Sequence, residues 1–263
     1  MSAEKIRPSI DQDKEMVAKN IELEKLYGGY FGNPENCAPF IEHLPQDLFS
    51  NKTPVILDAG SSQGVVGEYV SNEFIKRGST PRLILMDTND AALKKSFVAT
   101  EKIVADLKNI PLGDSSINLA LLRSVLHYES DIGEQKKILR ELYRVLSSEG
   151  VLVSQFASFD NEETANAFNR MFKFLKRNVG FVSKESGIKM HEEVFGTIYK
   201  VSSAASLNES ITEFGQRVGR DEIKRAKQYI EEHIGELSGI LTNDNPFAWK
   251  IPFTIVSCKK EGI

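Results

Sequence analysis

The chain has 263 residues, 41% of them apolar and 27% charged, with a formal net charge of −4. That length supports a full core in one large domain or one domain plus a cap, and the composition is that of a globular protein. The slight acidity weighs against nucleic acid as a partner, and no apolar run nears the ~20 residues that a bilayer-crossing helix needs.

Cys37 and Cys258 lie far apart and form no metal or redox spacing, and the N-terminus lacks a signal-type apolar segment. A cytoplasmic protein with reduced thiols is expected, with no membrane partner and no metal ligand set. No oligomeric state follows from the residues.

Residues 1–50 are expected to form an N-terminal helical cap. A polar tail over 1–11 precedes a helix from Asp13 to Tyr27, with Met16, Val17, Ile21, Leu23 and Leu26 as its apolar positions. An aromatic, glycine-rich loop with Tyr27, Tyr30 and Phe31 follows, then a short helix over 35–49.

Residues 51–156 alternate strands and helices. Apolar runs at 55–57, 83–86, 117–122 and 151–153, with a weaker one at 101–105, predict strands. Residues 65–77 place Val66, Tyr69, Val70 and Phe74 on one helical stripe, closed by Gly78. Residues 134–147 do the same with Ile138, Leu139, Leu142, Val145 and Leu146. Asp131 and Glu134 suggest a capping box for that second helix, and Gly150 its end. Strands that are apolar without alternation, each followed by a helix, indicate a parallel sheet covered on both faces.

After residue 156 the rhythm changes. Residues 157–248 read as a helical lid and substrate region, with helices over 161–178 and 221–237 and one sheet strand near 193–202. Residues 249–263 supply a terminal sheet strand.

The stretch 55–64, Val-Ile-Leu-Asp-Ala-Gly-Ser-Ser-Gln-Gly, is a strand that turns at once into a helix. Such a turn offers backbone N–H groups and bare backbone to a nucleotide-like ligand. Asp58 sits at the strand tip, followed by Ala59, Gly60, Ser61, Ser62 and Gly64. A carboxylate there would repel the pyrophosphate of NAD. It suits S-adenosylmethionine (SAM), which carries an ammonium and a sulfonium and no phosphate.

The other strand tips extend the set, because ligands of open α/β sheets bind beyond the carboxyl ends of the strands. Asp87, with Thr88 beside it, can accept from both ribose hydroxyls. Asp106 can accept from an exocyclic amine while Leu107 covers a base. Arg123 and Ser124 end the fourth strand. His127, just after it, is a candidate general base, and Tyr27, Tyr30 and Phe31 are candidates to close over the methionine end. His191-Glu192-Glu193 lacks the second histidine of a zinc motif and reads as a surface turn; His43 and His233 read as structural or exposed. Phe174, off its helix stripe, reads as facing a substrate cavity or the core.

These residues resemble the class I SAM-dependent methyltransferases of the small-molecule type. Their glycine motif D/E-x-G-x-G-x-G is matched by Asp58-Ala-Gly60-Ser-Ser62-Gln-Gly64, with Ser62 in place of the middle glycine. The approach to strand four is similar to Pro111-Leu-Gly-Asp-Ser-Ser-Ile-Asn-Leu, and the helix end before strand five to Arg144-Val-Leu-Ser-Ser-Glu-Gly150. The resemblance covers about residues 50–156. It implies a Rossmann-like α/β fold: a mostly parallel seven-stranded sheet, helices on both faces, a partial helical lid. It also implies methyl transfer from SAM to a small-molecule O, N or C nucleophile, leaving S-adenosylhomocysteine (SAH).

Two other readings stand beside it. One is a SAM-binding protein without methyl transfer. The other is an NAD(P) oxidoreductase, since Ser62-Gln-Gly64-Val-Val-Gly67 approaches G-x-G-x-x-G with Asp87 20 residues beyond. Against the latter stand the serine in place of the first glycine and the acid at the turn.

Overall fold

In the computed structural model, residues 29–96, 101–218 and 220–261 are described; the helix expected over 13–27, and Tyr27 with it, lie outside them. The strands are β1 (Val55–Ala59), β2 (Arg82–Asp87), β3 (Glu101–Val104), β4 (Ile117–Arg123), β5 (Leu146–Phe159), β6 (Val182–Ser183), β7 (Ile198–Ser210), β8 (Leu241–Thr242) and β9 (Asn245–Lys259). Seven of them lie in the order β3-β2-β1-β4-β5-β9-β7. The described sheet has nine strands rather than the expected seven, because two-residue β6 and β8 add to β5 and β9. β3, β2, β1, β4 and β5 pair in parallel, and β9 runs antiparallel between β5 and β7.

Both faces of the parallel strands are apolar, and successive residues feed opposite cores. Leu57, Ile84, Ala120 and Leu152 pack against Ile138, Leu139 and Leu142 of a helix, α4 (Ile132–Val145). Ile56, Leu83, Leu119 and Val151 pack against Val66, Val70 and Phe74 of α2 (Val65–Lys76). This double burial is why these strands show continuous rather than alternating hydrophobicity. A third core holds Phe159, Phe168, Phe172, Phe181, Phe214, Trp249 and Phe253. It joins the sheet to α5 (Glu162–Phe174), α7 (Ile211–Val218), α8 (Arg220–Glu232) and α9 (Ile234–Leu237).

Several local expectations are corrected. The short helix over 35–49 is a tight turn at Pro34–Cys37, then α1 (Ala38–Glu42), then a second tight turn at Gln46–Ser50. The strand near 193–202 starts only at Ile198, because Lys184–Phe195 forms α6, capped by the Ser183 hydroxyl. His191 therefore sits inside α6, fully buried, with Nδ1 against Gly187 O (2.7 Å) and Nε2 against Ser154 Oγ (2.9 Å). The helix over 221–237 breaks at His233 into α8 and α9. Phe174 faces neither a cavity nor the core: it is 37% exposed, with Arg225 over its ring. Asp131 caps α4 by accepting from Gly133 and Glu134 N–H groups, but the Glu134 carboxylate turns to Lys108. The last helix in this segment, α3 (Asp90–Lys95), follows β2 and is capped by Asn89.

Arg144 has a clear structural duty. Its guanidinium donates to the Ile110 and Leu112 carbonyls, to Asp114 and to both oxygens of Glu141, at 2.6–2.9 Å. It clamps the 110–114 loop onto α4, so the two motifs around Pro111 and Arg144 are halves of one tie.

Candidate cofactor and acceptor site

The strand order reverses at β1, which pairs with β2 on one side and β4 on the other. Loops leaving β1 and β4 must part there, and a cleft opens at their carboxyl ends. It measures about 360 Å³, within the usual range for a small-molecule site. Of the expected residues, Asp58, Gly60, Ser61, Ser62, Asp87, Thr88, Asp106, Leu107, Arg123 and Ser124 line it. Ala59 and Gly64 do not. Ala59 is buried in the sheet core, and Gly64 shapes the turn from behind.

The turn after β1 is tied to β2: Gly60 and Ser61 N–H groups both donate to Met86 O, at 2.8 and 3.0 Å. Gly60, Ser62 and Gly64 adopt φ of 69°, 50° and 84°. A Cβ at Gly60 would come within 2.5 Å of Val125, so the bare backbone at this point is required by the β4 loop. Asp87 holds the turn from the next strand, accepting from Ser62 N–H through Oδ2 and Asn89 N–H through Oδ1, each at 2.8 Å.

Asp58 is 3% exposed, and its Oδ2 accepts from Gly67 N–H at 2.9 Å, in the first turn of α2. Burial pushes its carboxyl up to about 6, against the pull of that N–H and of Arg123. Arg123 donates to Phe31 O at 2.7 Å and lies over the Phe31 ring, so the N-terminal aromatic loop is fastened to the tip of β4. Phe31 lines the cleft, whereas Tyr30 stacks on Phe253 and its hydroxyl accepts from Gln155 Nε2 at 2.7 Å.

Four buried polar atoms beside the cleft have no hydrogen-bond partner: the hydroxyls of Ser61, Ser62 and Ser124 and Oε1 of Gln63. Buried polar atoms are nearly always paired, so this cluster is what a wall awaiting a polar ligand looks like. Open backbone at Gly60, acids at the tips of β1, β2 and β3 and unpartnered hydroxyls between them fit SAM. Among the described residues lining the cleft the basic side chains are Lys108 and Arg123, and these are engaged by Glu129 and by Phe31 O.

His127 is set apart from this wall. Its ring stacks on Phe181 (4.9 Å, 10°) and lies against Tyr128, and its Nδ1 is buried without a partner. Burial pushes the imidazole down to about 4, so it is neutral at neutral pH and a weak base. The expected direct approach of a His127 base to the cleft is not what the packing gives.

Sequence reasoning missed Gln63, Asn89, Lys108, Tyr128 and Glu129, all of which line the cleft. Asn89 and Lys108 each stand two residues beyond an acid already singled out, a spacing that signals an Asx turn.

With that geometry in place, residues 57–154 match the family described as Methyltransferase domain. The fold is shared by the YcgJ protein of Bacillus subtilis (14% identity, 87% of this chain and 99% of that one, TM-score 0.68). A candidate methyltransferase of Bacillus halodurans is also similar (14%, 82% and 98%, TM-score 0.67). So is geranyl diphosphate C-methyltransferase of Streptomyces coelicolor, whose structure contains Mg2+, geranyl diphosphate and SAH (11%, 85% and 78%, TM-score 0.53). No curated protein matches the chain. Residues 57–154 thus match a methyltransferase domain, set in a fold that solved methyltransferase structures share.

Proposed function

We propose that this enzyme methylates a small-molecule nucleophile held where the cleft meets the lid core. SAM supplies a methyl group on a sulfonium, an electrophile that needs alignment more than activation. In-line alignment alone can account for roughly 7–11 kcal/mol of a barrier.

In this reading Asp87 binds the ribose hydroxyls while it pins the turn at Ser62. Asp106 and Leu107 hold the adenine, with Thr88 at the rim. Asp58 sets the negative potential for the ammonium end, and Gly60, Ser61, Ser62 and Ser124 present backbone and hydroxyls along the cleft. Arg123 keeps Phe31 folded over it. Ala59 and Gly64 act through the backbone of the turn.

The observation that carries the acceptor assignment is the border between cleft and lid. Gln155 Oε1 is buried without a partner beside Tyr30, which packs on Phe31 and Phe253, and His127 Nδ1 is likewise unpartnered against Phe181. Aromatic walls with one or two polar handles suit a metabolite rather than a polymer. The geranyl diphosphate enzyme, a structural neighbour that acts on a small molecule, supports the same class. A neutral amine or an activated carbon would need no strong base, in keeping with His127 being neutral and shielded.

Release of SAH from SAM over a panel of amines, phenols, carboxylic acids and allylic compounds tests this. Turnover with one chemical class is expected. A protein that binds SAM yet methylates only RNA or protein substrates would contradict it.

A further inference from the structure

The two basic side chains that line the cleft are held in different ways. Lys108 is surrounded by acids, with Glu129 Oε1 at 2.8 Å, Glu134 Oε2 at 3.6 Å and Asp106 Oδ2 at 3.7 Å. Arg123, half-buried at the tip of β4, has no carboxylate paired with it among the described residues. Its guanidinium donates to Phe31 O at 2.7 Å and lies 3.5 Å from Cys37 Sγ. A guanidinium has five N–H donors, so these contacts leave most of the fork unspent. A charge taken partly out of water is usually paired, and a carbonyl and a thiol do not neutralise one.

Polar atoms without partners gather beside it. Gln155 faces Arg123 in the β4–β5 register, so both side chains leave the same face of the sheet, and Gln155 Oε1 is buried without a partner. Ser124, the next residue, adopts a left-handed φ of 56°, uncommon outside glycine, and its hydroxyl is also buried and unpartnered. The Tyr30 hydroxyl accepts from Gln155 Nε2 at 2.7 Å and keeps its own proton to donate. In the order β3-β2-β1-β4-β5 this group lies across β1 from Asp87 and Asp106, the acids assigned above to the nucleoside.

We propose that Arg123 is the recognition group for a carboxylate on the methyl acceptor. This rests on the reading of the site as one for a small-molecule nucleophile, and it narrows that class to monoanionic acids. A carboxylate matches the planar guanidinium fork and takes two of its N–H groups in parallel. One guanidinium balances one negative charge. A phosphate monoester would bring about two into a cleft already lined by Asp58, Asp87, Asp106 and Glu129, so a carboxylate is the better match.

The test titrates the SAH complexes of the wild type, Arg123→Gln and Arg123→Lys with benzoate, anthranilate and 4-hydroxybenzoate, each against its primary amide. The acid-to-amide ratio of affinities is taken within one protein, so any loosening of Phe31 in a variant cancels. At least one acid is expected to bind the wild type ~10- to 100-fold tighter than its amide, the usual worth of a charge-assisted pair. Arg123→Gln should bring that ratio to within about twofold of unity, and Arg123→Lys, which keeps the charge and loses the fork, should fall between. Wild-type ratios near unity for every pair, or a preference that survives in Arg123→Gln, would overturn the proposal. A parallel arm compares SAH with its decarboxylated analogue, and Arg123→Gln should weaken both by the same factor. A loss confined to SAH would overturn the proposal by assigning the guanidinium to the cofactor's own carboxylate. Failure of the wild type to bind SAH, or methyl transfer to RNA or protein alone, would instead overturn the reading beneath it.

Discussion

The cleft at the tips of β1, β2 and β4 and the aromatic core under α5, α7, α8 and α9 treat their polar groups in opposite ways. In the cleft, serine hydroxyls and Gln63 Oε1 are buried without partners, and the backbone enters the left-handed region at Gly60, Ser62, Gly64 and Ser124. In the aromatic core, Trp249 Nε1 donates to Glu209, Asn169 pairs with Phe181 through both its amide ends, and rings pack edge to face. One region is shaped for something that is not protein, and the other is complete in itself. Gln155 Oε1, beside Tyr30, and His127 Nδ1, against Phe181, are also buried without partners.

Each region should therefore fail differently when altered. The largest effect is expected at Trp249, fully buried against Phe168 and Phe214. Trp249→Ala should lower unfolding stability by ~3–5 kcal/mol in denaturant titrations. The SAH affinity of the folded fraction should stay near that of the wild type.

Asp58 should behave in the reverse manner. Its carboxyl titrates at about 6 in the fold against an ordinary 3.8, so the native state holds the extra proton between those values. Stability from this group is present at low pH and lost as pH rises through 6, a cost of up to ~3 kcal/mol at neutral pH. Asp58→Asn keeps an acceptor for Gly67 N–H, so it should raise the ligand-free melting temperature at pH 7.5 while weakening SAH.

The buried histidines work against Asp58. His191, like His43, is pushed down to about 4 by burial, so each binds its proton in the unfolded chain first. Stability from these groups is present above about 6.5 and lost as pH falls towards 4. With His127 they outnumber Asp58, so the melting temperature should drop between pH 7 and pH 5, and His191→Gln should flatten that slope. The smallest change is expected at the border: Tyr30→Phe removes one hydrogen bond to Gln155 and should cost ~1 kcal/mol.

Much of this comparison was legible in the sequence, though unevenly. The strands of the parallel sheet show because both their faces are buried, and their acidic ends show because binding residues gather at strand tips. β7 did not show its length: Ser202, Ser203, Ala204 and Ala205 alternate too weakly to mark a strand, and pairing with β9 sets its span. Helix α6 was hidden by Gly187 and by the polar run His191-Glu192-Glu193. Spacing of Gly187, Met190, His191 and Phe195 on one face was the available signal, and Gly187 is kept free of a side chain by Phe156, which a Cβ would meet at 2.0 Å. Lys108 and Glu129 were invisible as a pair because their contact is made by the sheet bringing two loops together, 21 residues apart in the chain.

The central claim is that the tips of β1 and β2 form the SAM site. The most direct measurement is a calorimetric titration of SAH into the wild type and into Asp87→Ala. One-site binding in the micromolar range is predicted for the wild type, weakened about 100-fold in the variant through loss of charge-assisted hydrogen bonds and of the hold on Ser62. No heat with the wild type, or unchanged affinity in Asp87→Ala, would contradict it.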